Sequence, residues 1–118
     1  LPSSRPWVRV EDILENALAI LEYTQGMKLA DYLSDRKTRD ACERCLSRIS
    51  EAAVKLGPFA EEAFPQHGWR GIRDIGNILR HEYDQVETVN IWDVITINLP
   101  PLIRDIEIAL ANRDISEV

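Results

Sequence analysis

Between positions 69 and 83 the chain reads Trp-Arg-Gly-Ile-Arg-Asp-Ile-Gly-Asn-Ile-Leu-Arg-His-Glu-Tyr. Wound as a helix at about 100° per residue, Arg73, Asn77, Arg80, His81 and Asp84 fall within an arc of about 100°, beside the apolar face rather than opposite it. A plain solvated helix side is dominated by Glu and Lys. This arc instead holds guanidinium, amide and imidazole groups. Arginine grips a phosphate through paired N–H donors and stays charged, histidine moves protons near neutrality, and asparagine orients either. Those are the parts for metal-free RNA cleavage by internal attack of a 2′-hydroxyl. One group takes the proton, and a cation stabilises the charge building on the phosphorane. The same residues also suit a plainer arrangement, a capped and salt-bridged helix end with a buried histidine.

The elements that would carry this arc are all helical. Val10, Ile13, Leu14, Ala17 and Leu21 make one apolar stripe over residues 10 to 25, with Gly26 as its stop. Met27 to Asp35 reads as a helical turn bringing Leu29, Tyr32 and Leu33 onto the core. A second helix is expected from Thr38 to Leu56, with Ala41, Cys45, Ile49, Ala52 and Leu56 inward and Gly57-Pro58 ending it. Lys37, Arg44, Arg48 and Lys55 lie within about 20° of one line along it. That stripe is either a solvated face with acidic partners such as Glu51, or a surface whose Arg44 and Arg48 attract RNA phosphates. The arc itself belongs to a third helix, Trp69 to Val86, buried through Ile72, Ile75, Leu79 and Val86. The last begins near Thr88 and carries Trp92, Ile95, Leu99, Leu102, Ile103, Ile106 and Leu110. Pro100-Pro101 remove two backbone donors there, so it must kink or restart. An all-α, antiparallel four-helix bundle with a kinked C-terminal helix is the simplest architecture.

At 118 residues the chain fits one domain spanning 1–118, with 1–6 and 114–118 expected to be loose. Its net charge of −6 weighs against indiscriminate nucleic-acid binding but leaves room for a local cluster of arginines. No apolar run approaches the roughly 18 residues of a membrane span, and the first residues lack the apolar core of a signal peptide. Two cysteines without an export signal fit a reducing, cytoplasmic compartment. Cys42 and Cys45 sit in mid-helix, and only His67 and His81 are available to complete a metal site, with no paired spacing, so both read as structural. His67, in a Pro/Gly loop, reads as solvated, and Trp69 and Trp92 as core or interface anchors. No phosphate-cradling glycine loop is present and no cofactor is expected.

The string Gly76-Asn77-Ile78-Leu79-Arg80-His81-Glu82-Tyr83 resembles the hallmark of the HepT-like branch of the HEPN family. There an arginine is followed, across four intervening residues, by His-x-Tyr. Asp35-Arg36-Lys37-Thr38 and Ser50-Glu51-Ala52-Ala53 resemble that family's second helix, and Ile91-Trp92-Asp93 and Leu99-Pro100-Pro101-Leu102 its last. The resemblance implies a HEPN-like bundle and a metal-independent endoribonuclease, the toxin of a toxin–antitoxin pair. Its implied partners are RNA, a second copy in a homodimer and an MntA-like nucleotidyltransferase antitoxin. His81 would be general base or acid, Asn77 would orient it or the substrate, and Tyr83 would receive the adenylate that silences the toxin. Residues two apart project about 160° from each other. His81 and Tyr83 therefore meet at one site only if the helix loosens or a second subunit closes over it. This chain departs from the family at position 76, where glycine replaces the motif arginine. Arg73 and Arg80 neighbour that position and either is long enough to bring a cation there. The alternative is a site that no longer cuts, in a dimeric binding partner of the nucleotidyltransferase.

Overall fold

The computed structural model describes residues 4–81 and 88–113, and every regular element among them is helical. The first helix, α1, is Pro6–Tyr23. It starts inside the stretch expected to be loose, at Pro6, whose missing N–H belongs to a first turn that would leave it unbonded anyway. Val10, Ile13, Ala17 and Ile20 are its buried residues. Leu14 and Leu21 flank them, partly buried, so the expected stripe is rotated slightly toward Ile20. The Thr24 hydroxyl donates to the Ile20 carbonyl at 2.8 Å as the helix ends, and Gly26 turns the chain at φ +76°.

The expected turn before the second long helix is α2, Leu29–Ser34, with Tyr32 buried. It leads directly into α3, Arg36–Leu56. This helix starts two residues before the expected Thr38 because Asp35 caps it. Asp35 Oδ1 accepts the Thr38 N–H at 3.0 Å and Oδ2 accepts the Thr38 hydroxyl at 2.9 Å. Those two bonds hold the Asp35 carboxyl below its ordinary range. Cys45, Ile49, Ala52 and Leu56 are buried as expected, joined by Cys42, Leu46, Ser50 and Ala53. A short helix that periodicity does not reveal, α4 (Phe59–Ala63), folds back after Gly57-Pro58.

The arc-bearing helix α5 runs Trp69–His81 within the described residues. Ile72, Ile75 and Leu79 pack partly buried on the core, whereas Val86, also expected there, lies outside the described residues. The last unit is continuous: α6 (Thr88–Asp93), a wide π-turn at Val94–Asn98, and α7 (Leu99–Asn112). The Leu99 N–H bonds back five residues to the Val94 carbonyl. The interruption expected from Pro100-Pro101 therefore takes the form of a widened turn just ahead of them. Both prolines stand in the first turn of α7.

The result is an all-α bundle in which α1 packs against α3 and α7, and α3 also packs against α5. Among the described residues no helix is long and apolar enough to cross a membrane. Ile13→Ala, at a fully enclosed position, is expected to lower the unfolding free energy by about 2–5 kcal/mol. Ile108→Ala, at a residue 55% exposed, should stay within about 0.5 kcal/mol. Urea titrations of the two variants make the comparison, and equal losses would contradict this core.

Candidate functional site

The approach of α5 to α3 decides where the arc points. At the crossing the Ser50 hydroxyl donates to the Arg73 carbonyl at 2.8 Å and accepts the Gly76 N–H at 3.1 Å. Gly76 is buried, and a Cβ placed on it would stand 2.7 Å from Ser50 Oγ and 3.1 Å from Ser50 Cβ. Real carbons do not tolerate the first of those distances. Position 76 is therefore a packing glycine, where any larger side chain would have to displace Ser50.

Arg73 is engaged elsewhere. Its Nε donates to the Ala53 carbonyl at 3.2 Å and Nη2 to the Gly57 carbonyl at 2.9 Å, while Nη1 and Nη2 both reach the Glu61 carboxylate at 2.7 Å. The side chain thus satisfies carbonyls that the end of α3 leaves open, where a cation is also favoured by the helix dipole. The hydrogen bond from Arg73 holds the Glu61 carboxyl below its ordinary range, and the same bond raises Arg73. Of the two arginines proposed to replace the motif cation, Arg73 is a clamp joining α3, α4 and α5 and offers no free guanidinium.

Arg80 is placed differently. Its Nη1 lies 3.4 Å from the position a Cβ at 76 would take, and its Nη2 donates to Asn77 Oδ1 at 3.4 Å. The side chain folds back along α5 over the space that glycine leaves open. Arg80, Arg44 and Arg48 line one cleft of about 440 Å³ between α3 and α5. Among the described residues no carboxylate lies within 4 Å of any of these three. Glu51 pairs with Lys55, a member of the basic stripe, at 3.1 Å, as the solvated-face reading expects for that end of the stripe. Three guanidiniums around one concavity, with Glu51 on the same wall, have the chemistry to attract an anionic group.

His81 is exposed at the end of α5, one residue and about 100° beyond Arg80 on the wheel. It points outward rather than into the cleft, with Asn77 between the two directions. Tyr83 and Asp84 lie outside the described residues. Cys42 and Cys45 are buried free thiols. Burial raises both, Cys42 to about 12, which keeps them protonated and inert. Among the described residues no group of three His, Cys, Asp or Glu side chains is placed to hold a metal.

His67 is the clear correction. It was expected in solvent, but its side chain is only 9% exposed, with Nε2 2.7 Å from Asp105 Oδ2. A residue 38 positions away in sequence leaves no local signal in the loop. Trp69 is the core anchor expected, donating from its indole to the Phe64 carbonyl at 2.8 Å.

The family model named Ribonuclease HepT-like matches residues 13–109. The chain belongs to that family. A Methanocaldococcus jannaschii protein provisionally assigned as an RNase is 34% identical over 96 residues, covering 81% of this chain and 79% of its own. A Thermococcus cleftensis protein named probable ribonuclease HepT is 30% identical over 93 residues, covering 79% and 84%. A Caldanaerobacter subterraneus protein, also provisionally assigned as an RNase, is 27% identical and covers 91% and 94%. No solved structure matches the chain.

The crossing makes a sharp energetic statement. Alanine is better than glycine in a helix by about 1 kcal/mol, yet Gly76→Ala should destabilise by about 1–3 kcal/mol through overpacking against Ser50. With Ser50→Gly also present, the same change should become neutral or stabilising. A double-mutant cycle by denaturant unfolding is expected to show coupling above about 1 kcal/mol. Additive effects would mean that the helices do not meet here.

Proposed function

We propose that this chain is a metal-independent endoribonuclease, the toxin of a toxin–antitoxin pair, with the motif cation moved from position 76 to Arg80. The observation that carries this reading is the Arg80 guanidinium lying 3.4 Å from where a side chain at 76 would begin. Arg80 grips the scissile phosphate, Arg44 and Arg48 hold neighbouring phosphates, and Asn77 steers Arg80 through their contact. His81 takes the 2′-hydroxyl proton as O2′ bonds to phosphorus, and the P–O5′ bond breaks. The 5′-oxygen leaves with a proton taken from water, His81 returns its proton to solvent, and the products are a 2′,3′-cyclic phosphate and a 5′-hydroxyl. The outward position of His81 suits a homodimer in which a second copy covers the reacting groups and excludes water.

A second reading has a specific observation behind it. Ser50 fills the place where the motif arginine's stem would run, which also suits a chain that has ceased to cut and serves as a dimeric partner of the nucleotidyltransferase. Cleavage of total RNA in EDTA separates the two. Wild type should cut, and Arg80→Ala and His81→Ala should each lose about 10²–10³-fold, the scale of losing one transition-state donor. Gly76→Arg needs Ser50→Gly beside it to fit. An inert wild type together with an active Gly76→Arg/Ser50→Gly variant would establish the binding-partner reading.

The antitoxin in this proposal is an MntA-like nucleotidyltransferase that adenylylates Tyr83. Co-expression with an MntA-like nucleotidyltransferase should add one adenylate to the Tyr83 peptide by mass spectrometry, and Tyr83→Phe should abolish it. An unmodified Tyr83 in a co-purifying complex would rule out this route of silencing.

A further inference from the structure

A second cleft, of about 530 Å³, opens on the other flank of α5, between its first turns and the π-turn and α7. Its two long walls are aliphatic, with Ile72 and Ile75 from α5 facing the last helical unit's Val94 and Leu99. Its polar residues come from three separated stretches of chain. His67 and Asp105 form the 2.7 Å pair, Asn98 ends the π-turn, and Arg104 follows on α7. Asp105 is 46% exposed, so its carboxylate can accept from a ligand as well as from His67. The wide turn at Val94–Asn98 forms part of this wall, and π-turns are common at functional sites.

We infer that this cleft holds one unpaired nucleotide of the RNA substrate, an inference that rests on the ribonuclease reading. A splayed-out base is bound elsewhere by flanking side-chain faces with hydrogen bonds at its edge, and here the flanking faces are aliphatic. Asn98 and Asp105 supply the edge contacts, and Arg104 is the cation for the attached phosphate. The volume falls in the range of small-ligand clefts and admits a single nucleotide rather than a duplex.

The test uses the His81→Ala chain, so that binding is read without cleavage, titrated with each of the four nucleoside 5′-monophosphates. At least one should shift the His67 imidazole and Trp69 indole NMR signals saturably, since those rings lie 6.5 Å apart. Ile75→Trp, which fills the slot, and Asn98→Ala, which leaves the His67–Asp105 pair intact, should each weaken that binding about tenfold or more. Adding Arg80→Ala should leave the His67 response within about twofold. The inference is overturned if no nucleotide moves either ring, or if both cleft variants bind as the parent does. A dimer dissociated by Ile75→Trp, with no nucleotide response, would also overturn it and assign the cleft to a second copy. Nucleotide binding without RNA cleavage would fail the ribonuclease reading alone, and cleavage without binding would fail only this one.

Discussion

At the α3–α5 crossing two helices approach so closely that no side chain fits on one of them, and a serine hydroxyl bridges their backbones. Ser50 gives its proton to the Arg73 carbonyl and takes the Gly76 N–H, so it bonds α5 at two points one turn apart. Arg73 then ties the same helix to the end of α3 and to Glu61. Together they fix the rotation of α5 about its own axis. Arg73 goes inward to the clamp, Arg80 goes to one flank, and His81 goes outward with Asn77 between them. A helix rotated by one residue, about 100°, would bring His81 to where Arg80 stands and turn Arg80 toward the core side now held by Leu79. In the proposed reaction, the placement of the reacting groups rests on a contact that contains none of them.

The same crossing explains how an acidic protein presents a basic site. The carboxylates nearest the cleft are already paired, Glu51 with Lys55 and Glu61 with Arg73, so they cancel locally. More distant acidic groups on the exposed surface are screened beyond about 10 Å at ordinary ionic strength. What an approaching anion would meet in this concavity is Arg44, Arg48 and Arg80, with Glu51 beside them tied to Lys55. A total of −6 over the whole chain says little about that place, because it averages over charges the ligand never encounters.

Much of this was legible in the sequence, and what was not has a common cause. The apolar periodicity of α1, α3, α5 and α7 depends on contacts repeated every turn, so it shows in a single chain read alone. The arc of Asn77, Arg80 and His81 is likewise local. Arg73 seemed equivalent to Arg80 because both neighbour position 76 on the helix surface. They were separated by Glu61 and the Gly57 carbonyl, which reach Arg73 only once α4 folds back. His67 was misplaced for the same reason, its partner Asp105 being contributed by α7. Gly76 did carry a signal, since a mid-helix glycine costs about 1 kcal/mol against alanine and is retained where another backbone comes close. Ser50 had no such mark until the helices met.

The two clefts lie on opposite flanks of α5, and that geometry constrains how an RNA strand could use both. The arginine cleft is at Arg80, and the aliphatic slot is at Ile72 and Ile75, five to eight residues earlier, or about 7–12 Å along the axis at 1.5 Å per residue. A strand with a phosphate in one and a base in the other must cross the outward face of the helix between them. Asn77 and Asp74 are exposed on that face, and His81 lies at its end. The direction of the imidazole, out of place for a site confined to the arginine cleft, is the direction a crossing strand would require. The backbone would pass it in the open, where water competes for every contact, so a second molecular surface closing over α5 is the remaining element such a reaction needs.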